Sequence, residues 1–403
     1  MSRIEPLLER ILALDASDLY LTVGSPPVFR VEGVAVPANE PALSEADTVA
    51  LADEAMSDPS QREEFAKVKE MNLALALDVR GRFRCNIFRQ RNAVGLVIRQ
   101  IKLNVPTIEQ LELPAVLKDL ALTKRGLVLI TGATGSGKST TQAAMIDYRN
   151  SITSGHIITI EDPVEFMHRH KKSIVTQREV GFDTLSFHEA LRNTLRQAPD
   201  VILIGEVRDE VTMEAAITFA ETGHLCLATL HSNNANQSIE RIMNFFPAIR
   251  HPQIYLQLSL NLRGIVSQRL IAGSDGKRVA ALEILLDTPR VKDLIKKGEI
   301  DTLKDALEQG TNEGCQTFDE SLFRLAVDGK IDAEQALANA DSANNLRLRL
   351  RNDEMAKGQA EKEAPTFRLQ DPAHARKLAT APRVLQARGG AQRESASPVP
   401  LKR

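Results

Sequence analysis

Tryptophan is absent from this 403-residue sequence, and aromatic residues make up only 4% of it. A binding track for single-stranded nucleic acid stacks bases on aromatic side chains, so this composition offers no such track. The 51 Lys and Arg residues are balanced by 53 Asp and Glu residues, and the formal net charge of −2 gives no global attraction to nucleic acid or anionic lipid. We therefore expect no nucleic-acid partner.

Cysteine is scarce, and long apolar runs are missing. Cys85, Cys226 and Cys315 are odd in number and too far apart for a CxxC zinc site. Neither a disulfide framework nor a structural zinc is expected, and a reducing cytoplasm is favoured. Charges interrupt the apolar positions of the amino terminus, and no run reaches about 18 apolar residues. We expect neither a signal peptide nor a membrane span.

Hydrophobic periodicity divides the chain into three segments. Residues 1–110 begin with a helical repeat and continue with alternating runs, which predicts a mixed α/β domain. In residues 111–345, short β-branched runs alternate with helical ones and a helical part follows, which predicts a parallel sheet covered by helices. Residues 346–403 form a tail that we expect to be basic and disordered in isolation. From Met355 onward it has 10 Lys and Arg against 4 Asp and Glu, with few large apolar residues.

A phosphate-binding motif opens the second domain. Residues 132–139, GATGSGKS, match G-x-x-x-x-G-K-[ST] and lie between a predicted strand and a predicted helix. Glycines let backbone N–H groups turn toward phosphate oxygens, and the helix adds the positive end of its dipole. Lys138 is expected to reach the β- and γ-phosphates of ATP, and Ser139 to bind Mg²⁺. The nucleotide-binding residues predicted from this loop are Gly132, Ala133, Thr134, Gly135, Ser136, Gly137, Lys138, Ser139 and Thr140.

Acidic residues end two of the predicted strands. One strand ends at Glu206, and we expect it beside the phosphate loop, where Glu206 holds Mg²⁺ through water. Another is followed by Glu161, Asp162 and Glu165, three acids within five residues. Like charges so close are unfavourable without a cation, which indicates that this cluster faces metal or arginine. The alternative is that Glu161 and Asp162 end the strand and bond to the loop backbone.

Seven ordered blocks of sequence resemble a known family. They are ASDLYL, RFRCNIF, GATGSGKST, ITIEDPVEF, QREVG, LIGEVRD and TGHLCLATLHSNNANQSIERI. The set resembles the type II/IV secretion ATPases, and within them the pilus retraction ATPases of the PilT/PilU family, over roughly residues 1–345. The segment RVKDLIKK stands where PilT proteins carry an AIRNLIRE-like helix, and it looks more like the PilU branch.

The resemblance implies an architecture and a function. A PAS-like amino-terminal domain and a RecA-like P-loop domain with carboxy-terminal helices would assemble into a homo-hexamer. The ring would hydrolyse ATP with Mg²⁺ at the cytoplasmic face of the inner membrane. It would power type IV pilus retraction and twitching motility by acting on an inner-membrane platform protein, alongside a PilT-type sister ATPase.

The same resemblance implies roles for individual residues. Glu165 is expected to activate the attacking water, and Glu206 to serve as an atypical Walker B acid. His224 and His231 correspond to the His box, so His224 is expected to bind nucleotide and His231 to contact it or relay its state. The two histidines flank a predicted strand at a separation of seven residues, which does not suit a helical zinc site. A structural histidine at a helix-to-strand turn is the alternative for His224.

Two arginines of the first domain complete the expected site. By resemblance, Arg84 and Arg99 approach the nucleotide phosphates, where a guanidinium neutralises charge on a transferred phosphoryl group. A solvated sheet face is the alternative. Because a single RecA-like domain exposes the γ-phosphate side of its nucleotide, we expect neighbouring chains of a hexamer to close the site.

Two other functions stay open at this stage. One is a regulatory ring subunit that binds ATP, hydrolyses little and acts through a partner ATPase. The other is a nucleic-acid translocase, which the composition disfavours. The basic tail is expected to be a solvated linker, or alternatively to contact an anionic membrane surface, so any membrane association is peripheral.

Overall fold

Two β-sheets organise the part of the chain that the structure describes. This computed structural model describes residues 2–363 except Glu32 and Val79, and the remainder of the predicted basic tail, residues 364–403, lies outside the described residues. Residues up to Leu350 form one compact unit that contains both sheets.

The first sheet has six antiparallel strands in the order β3-β2-β1-β6-β5-β4. Its elements are α1 (Glu5–Ala13), β1 (Asp18–Leu21), β2 (Val28–Val31), β3 (Val34–Pro37), α2 (Glu45–Ala55), α3 (Pro59–Val68), β4 (Glu70–Leu77), β5 (Gly81–Gln90) and β6 (Ala93–Ile101). Alternation along β5 buries Phe83, Cys85 and Ile87 completely against the helices. The opposite face carries the polar residues of the same strand, among them Arg84. The predicted mixed α/β domain is confirmed.

The second sheet has seven strands in the order β13-β12-β7-β11-β10-β8-β9, all parallel except for the antiparallel edge strand β13. Its elements are α4 (Val116–Leu122), β7 (Gly126–Thr131), α5 (Lys138–Ile152), β8 (Gly155–Glu161), β9 (Ser173–Glu179), α6 (Phe187–Thr194), β10 (Val201–Ile204), α7 (Glu210–Glu221), β11 (Leu225–Leu230), α8 (Ala235–Asn244), α9 (His251–Asn261), β12 (Leu262–Ala272) and β13 (Arg278–Leu286). Helices cover both faces, so β7, β10 and β11 are buried along their whole length.

Strand order places the candidate residues differently from one expectation. The strand that precedes Glu206, β10, was expected beside the phosphate-loop strand β7, and this is wrong because β11 pairs with both. Buried β11 carries only apolar or small residues and Thr229, so it separates the two strands without adding charge. Parallel pairing still brings the carboxyl ends of β7, β11, β10 and β8 to one edge.

The first domain contacts the second just beyond its last strand. Lys102 forms a β-bridge with Phe166, and the Met167 N–H donates to the Lys102 carbonyl at 3.1 Å. Further along, Ile108 and Leu113 pack with α4 into the core beside β7. The division at residue 110 stays a prediction, and the side chain of Ile108 belongs to the second core.

The described part of the chain ends in five α-helices. They are α10 (Pro289–Lys297), α11 (Leu303–Gln309), α12 (Phe318–Val327), α13 (Ala333–Asn339) and α14 (Ala343–Glu363). Of these, α12 contacts β13 and α13 contacts β12. Phe318, Leu322 and Leu346 are fully buried together with Ile271 of β12. The predicted tail began at residue 346, whereas α14 continues to Glu363 and Leu346 belongs to the buried core.

Phe318 is the residue on which we expect this packing to depend most. Its ring is fully buried, and the Arg269 guanidinium lies 3.8 Å from its centroid. Phe318→Ala should lower the free energy of unfolding by about 3–5 kcal/mol, because it removes a buried ring and leaves a cavity. Urea denaturation measures this. Leu348→Ala, at a side chain that is 58% exposed, is the control and should change stability by about 0.5 kcal/mol or less. Equal losses for both variants would contradict the assignment.

Candidate nucleotide site

The loop between β7 and α5 has the backbone that the motif requires. Gly132, Gly135 and Gly137 have φ values of 151°, 78° and 88°. A Cβ on Gly132 would lie 2.4 Å from the Ser136 hydroxyl and 2.5 Å from the Gln268 carbonyl oxygen, so only glycine fits there. The loop backbone therefore forms a tight curl, and its residues Thr134 and Gly135 line the adjacent cleft.

Lys138 lies inside this curl. Its Nζ donates to the carbonyl oxygens of Gly132 at 2.8 Å and Ala133 at 2.9 Å. Burial lowers the pKa of Lys138, and the nearby charge of Glu206 opposes that shift. The buried Ser136 hydroxyl has no hydrogen-bond partner among the described residues. A buried ammonium and an unpartnered hydroxyl in a curled glycine loop fit the phosphates of a nucleotide.

A cleft of about 580 Å³ joins this loop to the first domain. From the second domain, its lining includes Lys138, Ser139, Glu165, Glu206 and His231. Asp18 and Arg99 of the first domain line the same cleft. The structure thus brings together most of the residues that the sequence analysis selected.

Glu206 is held by two nitrogen donors. Its Oε1 lies 2.9 Å from His231 Nε2, and its Oε2 accepts from Arg208 Nε at 2.7 Å. Arg208 also approaches Asp162 at 3.5 Å. Burial and the charge of Lys138 lower the pKa of His231, while the charge of Glu206 opposes them. The carboxylate is oriented at the edge of the sheet, and Asp162 of the acidic cluster faces arginine.

Glu165 faces the two arginines across the domain boundary. Burial raises the pKa of Glu165, the charges of Arg99 and then Arg84 oppose that rise, and Asp18 adds to it. These arginines belong to the same chain. The first domain of the same chain therefore places positive charge on this side of the cleft, and closure of the site by neighbouring chains stays a prediction.

The two arginines are not equivalent. Arg84 and Arg99 are cross-strand partners on β5 and β6. Arg99 lines the nucleotide cleft, whereas Arg84 lines a separate groove with Phe182. Arg84 acts on the cleft through its charge, which opposes the rise that burial causes in the pKa values of both Glu165 and Glu179.

Glu161 is the most enclosed acid of the cluster. Burial raises its pKa to about 7, although the Thr159 hydroxyl donates to it at 2.7 Å and the Gln177 amide at 3.3 Å. Its partners are side chains, not the loop backbone of the alternative interpretation.

His224 lies at the opposite edge of the sheet from the phosphate loop. Its carbonyl accepts from Gly126 N–H at the start of β7, and its Nδ1 lies 3.2 Å from the Phe219 carbonyl oxygen and 3.1 Å from the Thr222 hydroxyl. The six residues of β11 separate it from His231 by about 20 Å. The structure does not bring His224 into the cleft with the phosphate loop, and the structural alternative describes its contacts.

Buried polar residues on β12 and β13 escaped the sequence analysis. The Thr141 hydroxyl of α5 donates to Gln268 Oε1 at 2.7 Å. The Thr131 hydroxyl donates to Ser267 Oγ at 3.0 Å, and Glu283 Oε1 accepts from Ala235 N–H at 2.8 Å. These bonds connect the phosphate-loop strand and α8 to the hairpin. No local sequence signal marks them, because β12 was not recognised as a strand.

A second cavity of about 780 Å³ adjoins the phosphate loop. Gly137, Thr140, Leu270 and Arg278 line both cavities, and Leu113 contributes to this one. Its lining combines apolar residues with the acids Glu112 and Asp275 and the bases Lys277, Arg278 and Lys330.

A P-loop at the carboxyl edge of a RecA-like sheet, with a carboxylate at the same edge one strand further along, defines a P-loop nucleoside triphosphatase. Within this class, the chain belongs to the type II/IV secretion system protein family, whose model matches residues 2–368. The resemblance and the fold class inferred from the seven sequence blocks are confirmed, and so is the enzyme class, an ATPase.

Curated relatives and a solved structure cover most of the chain. The type IV pilus ATPase PilU of Pseudomonas aeruginosa is 55% identical over 348 residues, which are 86% of this chain and 91% of PilU. The retraction ATPase PilT of the same organism is 44% identical over 82% of this chain and 96% of PilT. A crystal structure of the pilus retraction motor PilT with bound ADP superposes with a TM-score of 0.79 at 40% identity, over 85% of this chain and 98% of that one.

Two features are absent from the described residues. No helix among residues 2–363 has the length and apolar character to cross a bilayer. Within the same described part, no group of three or more His, Cys, Asp or Glu side chains is placed to hold a metal ion. Ser139 and Glu206 fit Mg²⁺ in a different way, since this ion is usually held by one or two protein groups together with phosphates and waters.

Glu283 gives a pH-dependent test of the buried network. Burial raises its pKa to about 7, Asp341 adds to the rise, and Ala235 N–H, Arg269 and Ser267 oppose it. A raised folded-state pKa contributes stability below the ordinary value of 4.5, and this contribution is lost as the pH rises through about 7. Glu283→Gln cannot ionise. Its stability relative to the parent should therefore rise as the pH increases from 4.5 to about 7, and the gain should reach roughly 3 kcal/mol at most by pH 8.

Urea unfolding at a series of pH values measures this difference. The part of the parent's pH dependence that comes from Glu161 should remain in Glu283→Gln. Glu313→Gln, at an exposed side chain, is the control and should run parallel to the parent. A Glu283→Gln curve parallel to the parent's would show that the Glu283 carboxyl does not titrate in this range.

Proposed function

We propose that the chain is a Mg²⁺-dependent ATPase that powers type IV pilus retraction as a homo-hexamer at the cytoplasmic face of the inner membrane. The observation that supports this most is the meeting of the phosphate loop, Glu165, Glu206 and Arg99 in one cleft. In the proposal, the ring acts on an inner-membrane platform protein and works alongside a PilT-type sister ATPase.

The phosphate loop binds the triphosphate of ATP. Lys138 exchanges its two carbonyl acceptors for β- and γ-phosphate oxygens, which carry full negative charge and are stronger acceptors. The backbone N–H groups of the loop and the Ser136 hydroxyl supply further donors. The base and ribose extend into the adjoining cavity past Thr140, toward Leu113 and Leu270.

Ser139 and Glu206 hold the metal. The Ser139 hydroxyl, at the first turn of α5, is the direct ligand, and Glu206 holds the metal's water shell. A Mg²⁺ ion held by these two residues would neutralise the negative charge that develops on the phosphates. Glu206 retains lone pairs for this role after accepting from His231 and Arg208.

Glu165 accepts the proton of the attacking water. The water oxygen bonds to the γ-phosphorus, the bond from that phosphorus to the bridging oxygen of ADP breaks, and the water proton passes to the Glu165 carboxylate. Burial raises the pKa of Glu165, which makes it a stronger base than an exposed carboxylate. Arg99 stabilises the charge on the transferred phosphoryl group from the first domain.

The relatives support a place in the pilus machine. PilU is named a type IV pilus ATPase, and PilT a retraction motor. The hexamer, the platform protein and the sister ATPase rest on the family resemblance. Lys138, Glu165 and Glu206 are all intact, which argues against a regulatory subunit that hydrolyses little. The composition argues against a nucleic-acid translocase.

Three substitutions test the chemical roles. Glu165→Gln should bind ATP and Mg²⁺ as the parent does and turn over at least about tenfold more slowly, a barrier change of roughly 1.4 kcal/mol, because it removes the base. Glu206→Gln should raise the Mg²⁺ requirement as well as lower turnover. Lys138→Ala should weaken nucleotide binding itself.

Fluorescent-nucleotide titrations and steady-state rates across Mg²⁺ concentrations distinguish these variants. Glu240→Gln, at an exposed glutamate of α8, is the matched control and should behave as the parent. If Glu165→Gln hydrolyses ATP at the parent rate, the acidic cluster is structural and the catalytic assignment is wrong.

Deletion of the gene tests the cellular role. A strain without this protein should carry excess surface pili and lose twitching motility, because extension continues without retraction. Pilus counts and motility assays should be made in the single deletion and in a strain that also lacks the PilT-like sister. Cells without surface pili would point to extension and would contradict the proposal.

A further inference from the structure

A buried carboxylate of the first domain lies in the nucleotide cleft without a role in the chemistry described above. Asp18, on β1, is only 4% exposed, yet it lines the cleft with Lys138 and Glu165. Burial of an ionised carboxylate is costly unless it is paired and hydrogen-bonded. Asp18 meets that condition mainly through one partner, Arg99, whose Nε donates to Asp18 Oδ1 at 2.8 Å.

Strand register explains why these residues meet. Asp18 is the cross-strand partner of Arg99 on β6 and of Arg30 on β2, and Arg99 is in turn the partner of Arg84 on β5. Four charged residues therefore form one row across the sheet, with a single carboxylate among three guanidiniums. Arg30 is the weaker partner, since its Nε lies 4.0 Å from Asp18 Oδ2.

The geometry of the pair leaves Arg99 available to a ligand. The bond to Asp18 uses Nε, so the two terminal nitrogens of the guanidinium are left for other acceptors. The Arg99 side chain is 56% exposed, whereas that of Asp18 is 6% exposed. The rigid member of the pair is thus the carboxylate, which the Ser17 hydroxyl also holds at 2.9 Å.

We propose that Asp18 is a positioning residue that accepts the Arg99 Nε hydrogen bond and so directs the terminal nitrogens of Arg99 to the γ-phosphate of ATP. An arginine side chain has four rotatable bonds, so its free guanidinium would sample many positions around the cleft. The hydrogen bond from Nε to Asp18 removes most of that freedom before the nucleotide binds. The inference rests on the proposed ATPase function, because it assigns Arg99 to the phosphate.

A double-mutant cycle tests the proposal. Asp18→Asn keeps the shape and the bond to Ser17 but loses the charge that holds Arg99. The affinity for a non-hydrolysable ATP analogue divided by that for ADP should fall at least about fivefold in Asp18→Asn and in Arg99→Ala, and kcat should fall at least about tenfold in both. The double variant should be no worse than Arg99→Ala, because Asp18 acts only through Arg99.

Two more variants separate positioning from folding. Arg99→Lys keeps a positive charge on an exposed position but has no Nε group to be gripped, so it should lose the affinity ratio as Arg99→Ala does. Arg30→Gln removes the other cation near Asp18 and lies outside the cleft lining. It is the matched control and should stay within about twofold of the parent in both quantities.

The outcomes keep the two hypotheses apart. The positioning role is overturned if the parent hydrolyses ATP and Asp18→Asn keeps the parent's affinity ratio and kcat. It is also overturned if the double variant loses more than Arg99→Ala does, because the two residues would then act independently. A higher affinity ratio in Asp18→Asn would also overturn it, because Asp18 would then compete with the phosphate for Arg99. If the parent does not hydrolyse ATP but the ratio falls as expected, the ATPase function fails and the role of Asp18 stands.

Discussion

Charge pairing across the domain boundary is the interaction on which the site depends. Carboxylates gather where β8 and β10 end, and burial raises the pKa values of Glu161 and Glu165. The first domain places Arg99 and Arg84 near these carboxylates, and their positive charges stabilise ionised Glu165. Without them, the pKa of Glu165 would rise further and favour the protonated carboxyl, which cannot accept a proton from water.

Parallel pairing of largely buried strands creates the sheet edge where these carboxylates lie. Because β7, β11, β10 and β8 run in one direction, the phosphate loop, His231, Glu206 and Glu161 leave the sheet on the same side. The buried strands carry little charge, so polar residues concentrate at the ends, where a ligand meets them. The bond between His231 and Glu206 then links the ends of two adjacent strands.

Local patterns predicted the parts of the site that depend on local geometry. The phosphate loop could be recognised because its glycines and the start of the following helix all lie within eight residues. His224 and His231 flank one strand and look alike in sequence, but they leave it at opposite edges of the sheet, and only the direction of β11 relative to β7 distinguishes them. Strand order likewise could not be read from the sequence, so Glu206 was expected one strand too close to the loop.

The same limit explains why Asp18 and the β12–β13 network were missed. Ser267 and Gln268 give β12 an irregular polar pattern because they bond inside the protein, and that pattern hides a strand from any search for alternation. The role of Asp18 depends on its position opposite Arg99, which lies some 80 residues later in the sequence. In the proposed mechanism this register matters directly. An arginine fixed to the first sheet and bonded to the γ-phosphate loses that bond when phosphate leaves, so hydrolysis in the second domain changes the force on the first.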